Sequence, residues 1–336
     1  MKRKQIIFTK PETAEFLDTE INIEHPRDVM VKMEYTVISG GTERANLLGS
    51  KTFCLNDKAF PRMLGYCGVG TVIDLGVEVT KCKIGDRVLV YHGVHSNYNV
   101  RRDDEIFLVE NDVDSLEAAF VIIATMGLGG VRKLEAELGE SAMVMGLGLL
   151  GMFSIQFLRN SGVYPLIAAD LNPERRALAL KLGADFALDP ASPDLNEIFL
   201  EITKGKKVKN IVEVTGVSRA LEQALENVSY MGKISLLGCT RVSDMQIDYY
   251  LQVHFPGVKL IGAHNFVRPK QESFPHHWTM TDECNAILNL IESKRIDVKS
   301  MVSRICDPKD APEIYNELVH DKNFPMGTVF DWRNYD

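Results

Sequence analysis

No stretch of the chain approaches the roughly 18 uncharged apolar residues that a membrane span requires, since even Ser141–Gln156 is punctuated by glycine and followed by Arg159. A membrane protein is not expected. The opening Met1-Lys2-Arg3-Lys4-Gln5-Ile6-Ile7-Phe8 is basic and then apolar, but it breaks at Thr9-Lys10-Pro11, too early for a secretory signal, and reads as a first strand. Cysteine is sparse and unpaired: Cys54, Cys67, Cys82, Cys239, Cys284 and Cys306 form no CxxC, which argues against a disulfide framework or a zinc ribbon and for reduced thiols in the cytoplasm. Long basic runs are also missing; the densest is Lys204–Lys209, and the net charge is −8. Nucleic acid, whose phosphates must be neutralised by Lys and Arg, is therefore an unfavourable partner, and a small molecule is expected instead.

What is present is an ordinary globular composition, 45% hydrophobic and 25% charged over 336 residues, enough for two domains. From Lys2 to about Glu110 the chain is β-rich, with strands expected at Val29–Tyr35, Gly68–Asp74, Arg87–Tyr91 and Ile106–Val109. Helical text follows from Ser115 to Leu138. Strands and helices then alternate: strands at Ala142–Met145, Pro165–Ala169, Asn210–Val214 and Gly232–Leu237, helices at Leu149–Ser161, Pro173–Leu182 and Arg219–Val228. That alternation predicts βαβ units and a doubly wound parallel sheet. A strand near Val258–Gly262, a loop rich in Pro and His (Phe266–His277), a helix at Thr281–Ser293 and a strand at Asp297–Arg304 complete the reading. The expected domains are 120–266 for the nucleotide and a discontinuous β-rich domain from 1–119 with 267–336.

Gly146-Leu147-Gly148-Leu149-Leu150-Gly151 follows a predicted strand and opens a predicted helix, the context in which GxGxxG binds a dinucleotide. The first glycine permits the turn, the second lets backbone approach the pyrophosphate, and the third lets helix and strand pack closely. Asp170 ends the next strand, where a carboxylate accepts ribose hydroxyls and repels a 2′-phosphate, so NAD(H) is preferred. Leu171 flanks it, and Arg175 and Arg176 lie close enough to leave NADP(H) open.

The order of these parts resembles the medium-chain dehydrogenase/reductase family, in which a Rossmann domain interrupts a GroES-like β-rich catalytic domain. The likeness runs through Gly65 with Gly68-Val69-Gly70-Thr71-Val72, Lys83-Ile84-Gly85-Asp86-Arg87-Val88, Leu116-Glu117-Ala118-Ala119, the fingerprint, and Asp170 to Lys181-Leu182-Gly183-Ala184. It implies a nicotinamide cofactor, with Thr215-Gly216 and Leu237-Gly238-Cys239 as strand-end positions near the nicotinamide and its ribose, and a homodimer or homotetramer joined through the strand near Val258–Gly262.

Zinc members of that family use a Cys in Cys-Gly-x-Asp, a His in Gly-His-Glu and a third acidic or thiol ligand. The matching positions here are Ser39, Tyr66 (followed by Cys67) and about Ile122, and the stretch from Tyr91 to Ser115 has no cysteine for a structural zinc. Neither zinc is expected, because hydroxyl, phenol and alkyl groups do not make such a site. Cys54, Cys67, His92 and His95 are the remaining donors for a rewired one.

Without zinc, Tyr66 is the first candidate to exchange a proton with the substrate oxygen, its other reading being an aromatic that fills the vacated space. Ser39, Thr42 and Glu43 share its loop, with Glu43 as general base or orienter and Arg44 as partner for an acidic substrate group or for a salt bridge. His264, His276, His277 and Trp278 are candidates to line the substrate pocket. The expected function is zinc-independent hydride transfer to or from a hydroxyl/carbonyl carbon of a polyol, sugar or related metabolite. The alternatives are C=C (enone or quinone) reduction, transient oxidation by NAD to permit an elimination, and a nucleotide-binding protein without catalysis.

Overall fold

The computed structural model describes residues 1–49, 60–240 and 244–336; Cys54 lies outside them. The chain divides into two compact units, Met1–Ile123 with Cys284–Asp336, and Ala124–Glu283.

In the first unit, β1 (Lys2–Lys10) and β2 (Thr13–Glu20) form a hairpin. The main sheet is built on β3 (Asp28–Val37), whose ten residues are almost all buried. One edge of β3 pairs antiparallel with β4 (Cys67–Leu75). Its other edge is shared: Asp28–Lys32 pair with β6 (Tyr98–Arg102), and Tyr35–Val37 with β15 (Thr328–Asp331). Strands β5 (Arg87–Tyr91), β7 (Ile106–Leu108) and β14 (Arg304–Cys306) complete the order β14-β15-β3-β4-β5-β7. Helix α1 (Gly40–Leu47) leaves the end of β3, and α9 (Ala311–His320) packs beside it, so that Ile314, Tyr315 and Leu318 join Val29, Val31 and Phe330 in one core. The remaining elements of this unit include the short helix α2 (Ser115–Ala118).

The strand expected at Asp297–Arg304 does not form. The Asp297 carboxylate accepts the Ser300 amide at 2.9 Å, a local turn that competes with extended backbone, and the chain makes a short 3₁₀ turn at Lys299–Met301 before β14.

The second unit carries six parallel strands: β8 (Ala142–Met145), β9 (Leu166–Ala169), β10 (Phe186–Leu188), β11 (Val208–Glu213), β12 (Val228–Leu236) and β13 (Lys259–Gly262). Their order is β10-β9-β8-β11-β12-β13, with α4 (Leu149–Asn160), α5 (Pro173–Lys181), α6 (Leu195–Ile202) and α7 (Ser218–Asn227) between successive strands. The chain order therefore reverses between β8 and β11, and it is at the carboxyl ends of strands at such a reversal that a doubly wound sheet binds its ligand. Register pairing brings Leu188, Ala169, Met145, Glu213, Leu236 and Gly262 into one row along that edge.

The chain passes between the units inside two continuous helices, α3 (Val121–Arg132) and α8 (Met280–Glu292). Residues 267–283 accordingly fall with the nucleotide unit, whereas the sequence reading had placed the boundary at 266.

Candidate active site

In the second unit, Gly146 leaves β8 with φ +92°, a conformation that favours glycine, and Gly148 caps α4. A Cβ on Gly151 would stand 1.9 Å from the Gly146 carbonyl oxygen, so only glycine lets helix and turn approach this closely. A Cβ on Gly148 would meet nothing within 4 Å. The backbone there faces open space at a helix N-terminus, the setting for a pyrophosphate. A cleft of about 690 Å³ runs along this edge, its wall including Gly146, Asp170, Leu171, Thr215 and Arg219.

Asp170 stands one residue past the end of β9 and accepts the Leu147 amide at 2.7 Å and the Asn172 amide at 2.8 Å, which fixes its carboxylate against the glycine turn. Arg176 is committed to the carbonyls of Asp170 and Leu171 and to the Asp189 carboxylate. The Arg175 guanidinium has no hydrogen-bond or ion-pair partner among the described residues.

The strand-end turns after β11 and β12 are joined by a residue that sequence reasoning missed. Glu213, 3% exposed, accepts the Thr215 amide at 2.7 Å, the Gly216 amide at 3.1 Å and the Thr215 hydroxyl, while its carbonyl accepts the amides of Leu237 at 2.9 Å and Gly238 at 2.8 Å. Burial raises the Glu213 carboxyl above its ordinary value, against the bonds from Thr215 and Gly216 that lower it. Cys239 beyond this turn is exposed.

In the first unit, Ser39 occupies the N-cap of α1 but its hydroxyl makes no capping bond. It meets the Tyr66 phenol at 2.7 Å instead, and Tyr66 also hydrogen-bonds the side chain of exposed Thr42. Glu43 supplies the cap from the other direction, accepting the Ser39 amide at 2.8 Å. Its second oxygen accepts the Tyr315 hydroxyl at 2.6 Å and lies 3.2 Å from His95 Nε2. Thr36 Oγ1 accepts the Trp332 indole N–H at 2.8 Å and lies 2.7 Å from His95 Nδ1. The hydroxyl donating to Nδ1 and Nε2–H donating to Glu43 satisfies every member, and that tautomer is assigned here from the network.

Glu43, read from the sequence as general base or orienter, is fully buried in this network and holds the Ser39 amide. Arg44 is exposed and donates to the Val319 carbonyl at 3.1 Å. Trp278 lies under the Arg132 guanidinium, 3.4 Å from ring centroid to guanidinium carbon, His264 and His276 are exposed, and His276, His277 and Trp278 line a small crevice beside Glu283. Burial pushes the Tyr66 and Tyr315 phenols and the Cys67 thiol well up, with the Glu43 carboxylate adding to all three.

Two family models match along the chain: the alcohol dehydrogenase GroES-like domain over residues 25–133 and the zinc-binding dehydrogenase over residues 150–282. The chain belongs to the medium-chain dehydrogenase/reductase family. It is an NAD(P)-dependent dehydrogenase/reductase of that type. The L-threonine 3-dehydrogenase of Thermococcus kodakarensis is 27% identical over 292 residues, 78% of this chain and 82% of that protein. The D-guloside 3-dehydrogenase of Escherichia coli K12 is 23% identical over 357 residues, covering 97% of this chain and 100% of that one. Solved dehydrogenases from Sinorhizobium meliloti 1021, bound to NADP, and from E. coli CFT073, with NADH, share the fold at TM-scores of 0.82 and 0.83. Each is 18% identical, and each match covers 98% of this chain and 99% of the other.

Proposed function

We propose that this medium-chain dehydrogenase/reductase interconverts a hydroxyl and a carbonyl on a polyol, sugar or related metabolite with NAD(H), and that a hydroxyl relay replaces zinc at the substrate oxygen. The observation that carries this reading is the 2.7 Å contact of Ser39 with Tyr66 at the positions where zinc relatives hold their Cys and His ligands.

The donor set does not fit a catalytic zinc. Ser39 and Tyr66 offer neutral hydroxyls, and Ile122 is a buried alkyl group. Among the described residues the nearby stronger donors are engaged elsewhere: Glu43 and His95 in the buried network, and Cys67 with the Val37 carbonyl at 3.5 Å.

Bound nicotinamide supplies the hydride acceptor or donor. Because burial raises the Tyr66 phenol, a free tyrosinate is an unfavourable base. Instead, as the substrate alcohol gives its proton to the Tyr66 oxygen, the phenol passes its own to Thr42, which is exposed and hands it to water; Ser39 orients the phenol. Carbonyl reduction runs the same relay in reverse.

Asp170 supports NAD(H), since a 2′-phosphate beside a carboxylate is repelled, while unpaired Arg175 is the feature that favours NADP(H). Edge strand β13 and exposed Tyr249, Tyr250, Leu251 and Phe255 nearby support association into a homodimer or homotetramer. Six scattered cysteines without a CxxC pair fit a reducing compartment such as the cytoplasm, and no described helix is long and apolar enough to cross a membrane.

The test is Tyr66→Phe, assayed with the polyol or sugar that reduces NAD⁺ fastest in a panel. Turnover falls by a factor on the order of 10²–10⁴ with NADH affinity unchanged; an unchanged turnover rejects the relay.

A further inference from the structure

Glu213 is a buried carboxylate with no cationic partner among the described residues. Its neighbours are two amides and a hydroxyl, all donors, which suit an ionised, acceptor-only group. No charged side chain stands beside it in the register row, where Met145 and Leu236 flank it. Burying a charge without a counter-charge is costly, and proteins usually avoid it by pairing or neutralising the group. An unpaired carboxylate at this point calls for a cation supplied from outside the chain.

The position identifies that cation. The dinucleotide of a doubly wound sheet straddles the reversal of strand order, here between β8 and β11. The adenosine half belongs to the β9 side, where Asp170 stands, and the nicotinamide half to the side of β11 and β12, whose end turns Glu213 holds. Oxidised nicotinamide carries a positive charge on its ring and the reduced form carries none. A negative charge buried beneath the end turns of that half, in a medium of low dielectric, stabilises the oxidised form selectively.

We propose that Glu213 sets the redox preference of the cofactor site, so that NAD⁺ is held more tightly than NADH. This rests on the nicotinamide reading of the site and adds to it a residue with a separable role. A merely structural Glu213 would support both redox forms equally, because both share the same dinucleotide frame.

The experiment compares dissociation constants of the protein for NAD⁺ and NADH, by calorimetry and nucleotide fluorescence, in the wild type, Glu213→Gln and Glu213→Asp. Folding is checked by circular dichroism, with Glu213→Met as the second charge-removing variant should the amide fold poorly. Glu213→Gln raises the ratio of the NAD⁺ to the NADH dissociation constant by on the order of tenfold, the size expected of one unit charge in a partly screened crevice. Glu213→Asp, which keeps the charge, leaves the ratio at the wild-type value. Equal weakening of both forms in Glu213→Gln, or an unchanged ratio, overturns the proposal while leaving the nucleotide site intact. Failure of the wild type to bind either nucleotide overturns the cofactor reading itself.

Discussion

The Tyr315 phenol donates a 2.6 Å hydrogen bond to the Glu43 carboxylate, although the two residues lie 272 positions apart. Through it α9, near the end of the chain, fixes the carboxylate that holds the Ser39 amide, and Ser39 in turn meets Tyr66. Both Tyr315 and Glu43 are wholly buried, so neither can exchange this bond for water.

Tyr315→Phe removes the donor and leaves a buried charged acceptor under-satisfied, at a cost of about 1–3 kcal/mol. Urea unfolding monitored by circular dichroism measures it. A variant as stable as the wild type shows that Glu43 finds another partner and that α9 does not brace the loop.

The glycine turn separates two kinds of requirement. Gly151→Ala forces its Cβ against the Gly146 carbonyl at 1.9 Å, and destabilises the fold by about 1–3 kcal/mol. Gly148→Ala meets no atom within 4 Å and leaves the melting temperature alone, yet its methyl occupies the space the pyrophosphate needs. NADH affinity then falls while stability does not. Loss of stability in both variants, with binding following it, contradicts this assignment.

Glu283 carries a pH signature. Burial raises its carboxyl to about 7, against the lowering effect of Arg268, Lys133 and Arg132. The folded state holds the proton more tightly than the unfolded chain, whose glutamate titrates near about 4.3, so the stability Glu283 contributes is present below that value and lost as pH rises through the folded value. Glu283→Gln imitates the protonated form. Its melting temperature relative to wild type rises between about pH 5 and about pH 8; a constant difference across that range shows that the cations dominate.

The parallel sheet and the nucleotide turn were legible in sequence because their signals are local: alternating helix and strand periodicity, and three glycines whose spacing is the geometry of one turn. Ser39 and Tyr66 were legible as a pair only through the family pattern that both depart from. Glu43 was legible as general base or orienter without a choice between them, since nothing within its own loop shows that His95 and Tyr315 close over it. The Trp332 to Thr36 bond spans 296 positions and leaves no local trace. Glu213 was missed because one acidic residue ending an apolar strand looks like a solvent-facing terminus until the turns after β11 and β12 are folded around it. The second domain boundary fell within α8, where one helical period runs through both units without a change of composition.

The central claim, a hydroxyl relay in place of zinc, is tested most directly by measuring metal content and NAD⁺-dependent substrate oxidation on one sample before and after exhaustive chelation. The account predicts less than stoichiometric zinc and the same turnover in both states. One zinc per chain, with activity lost on chelation and restored by zinc alone, would contradict it.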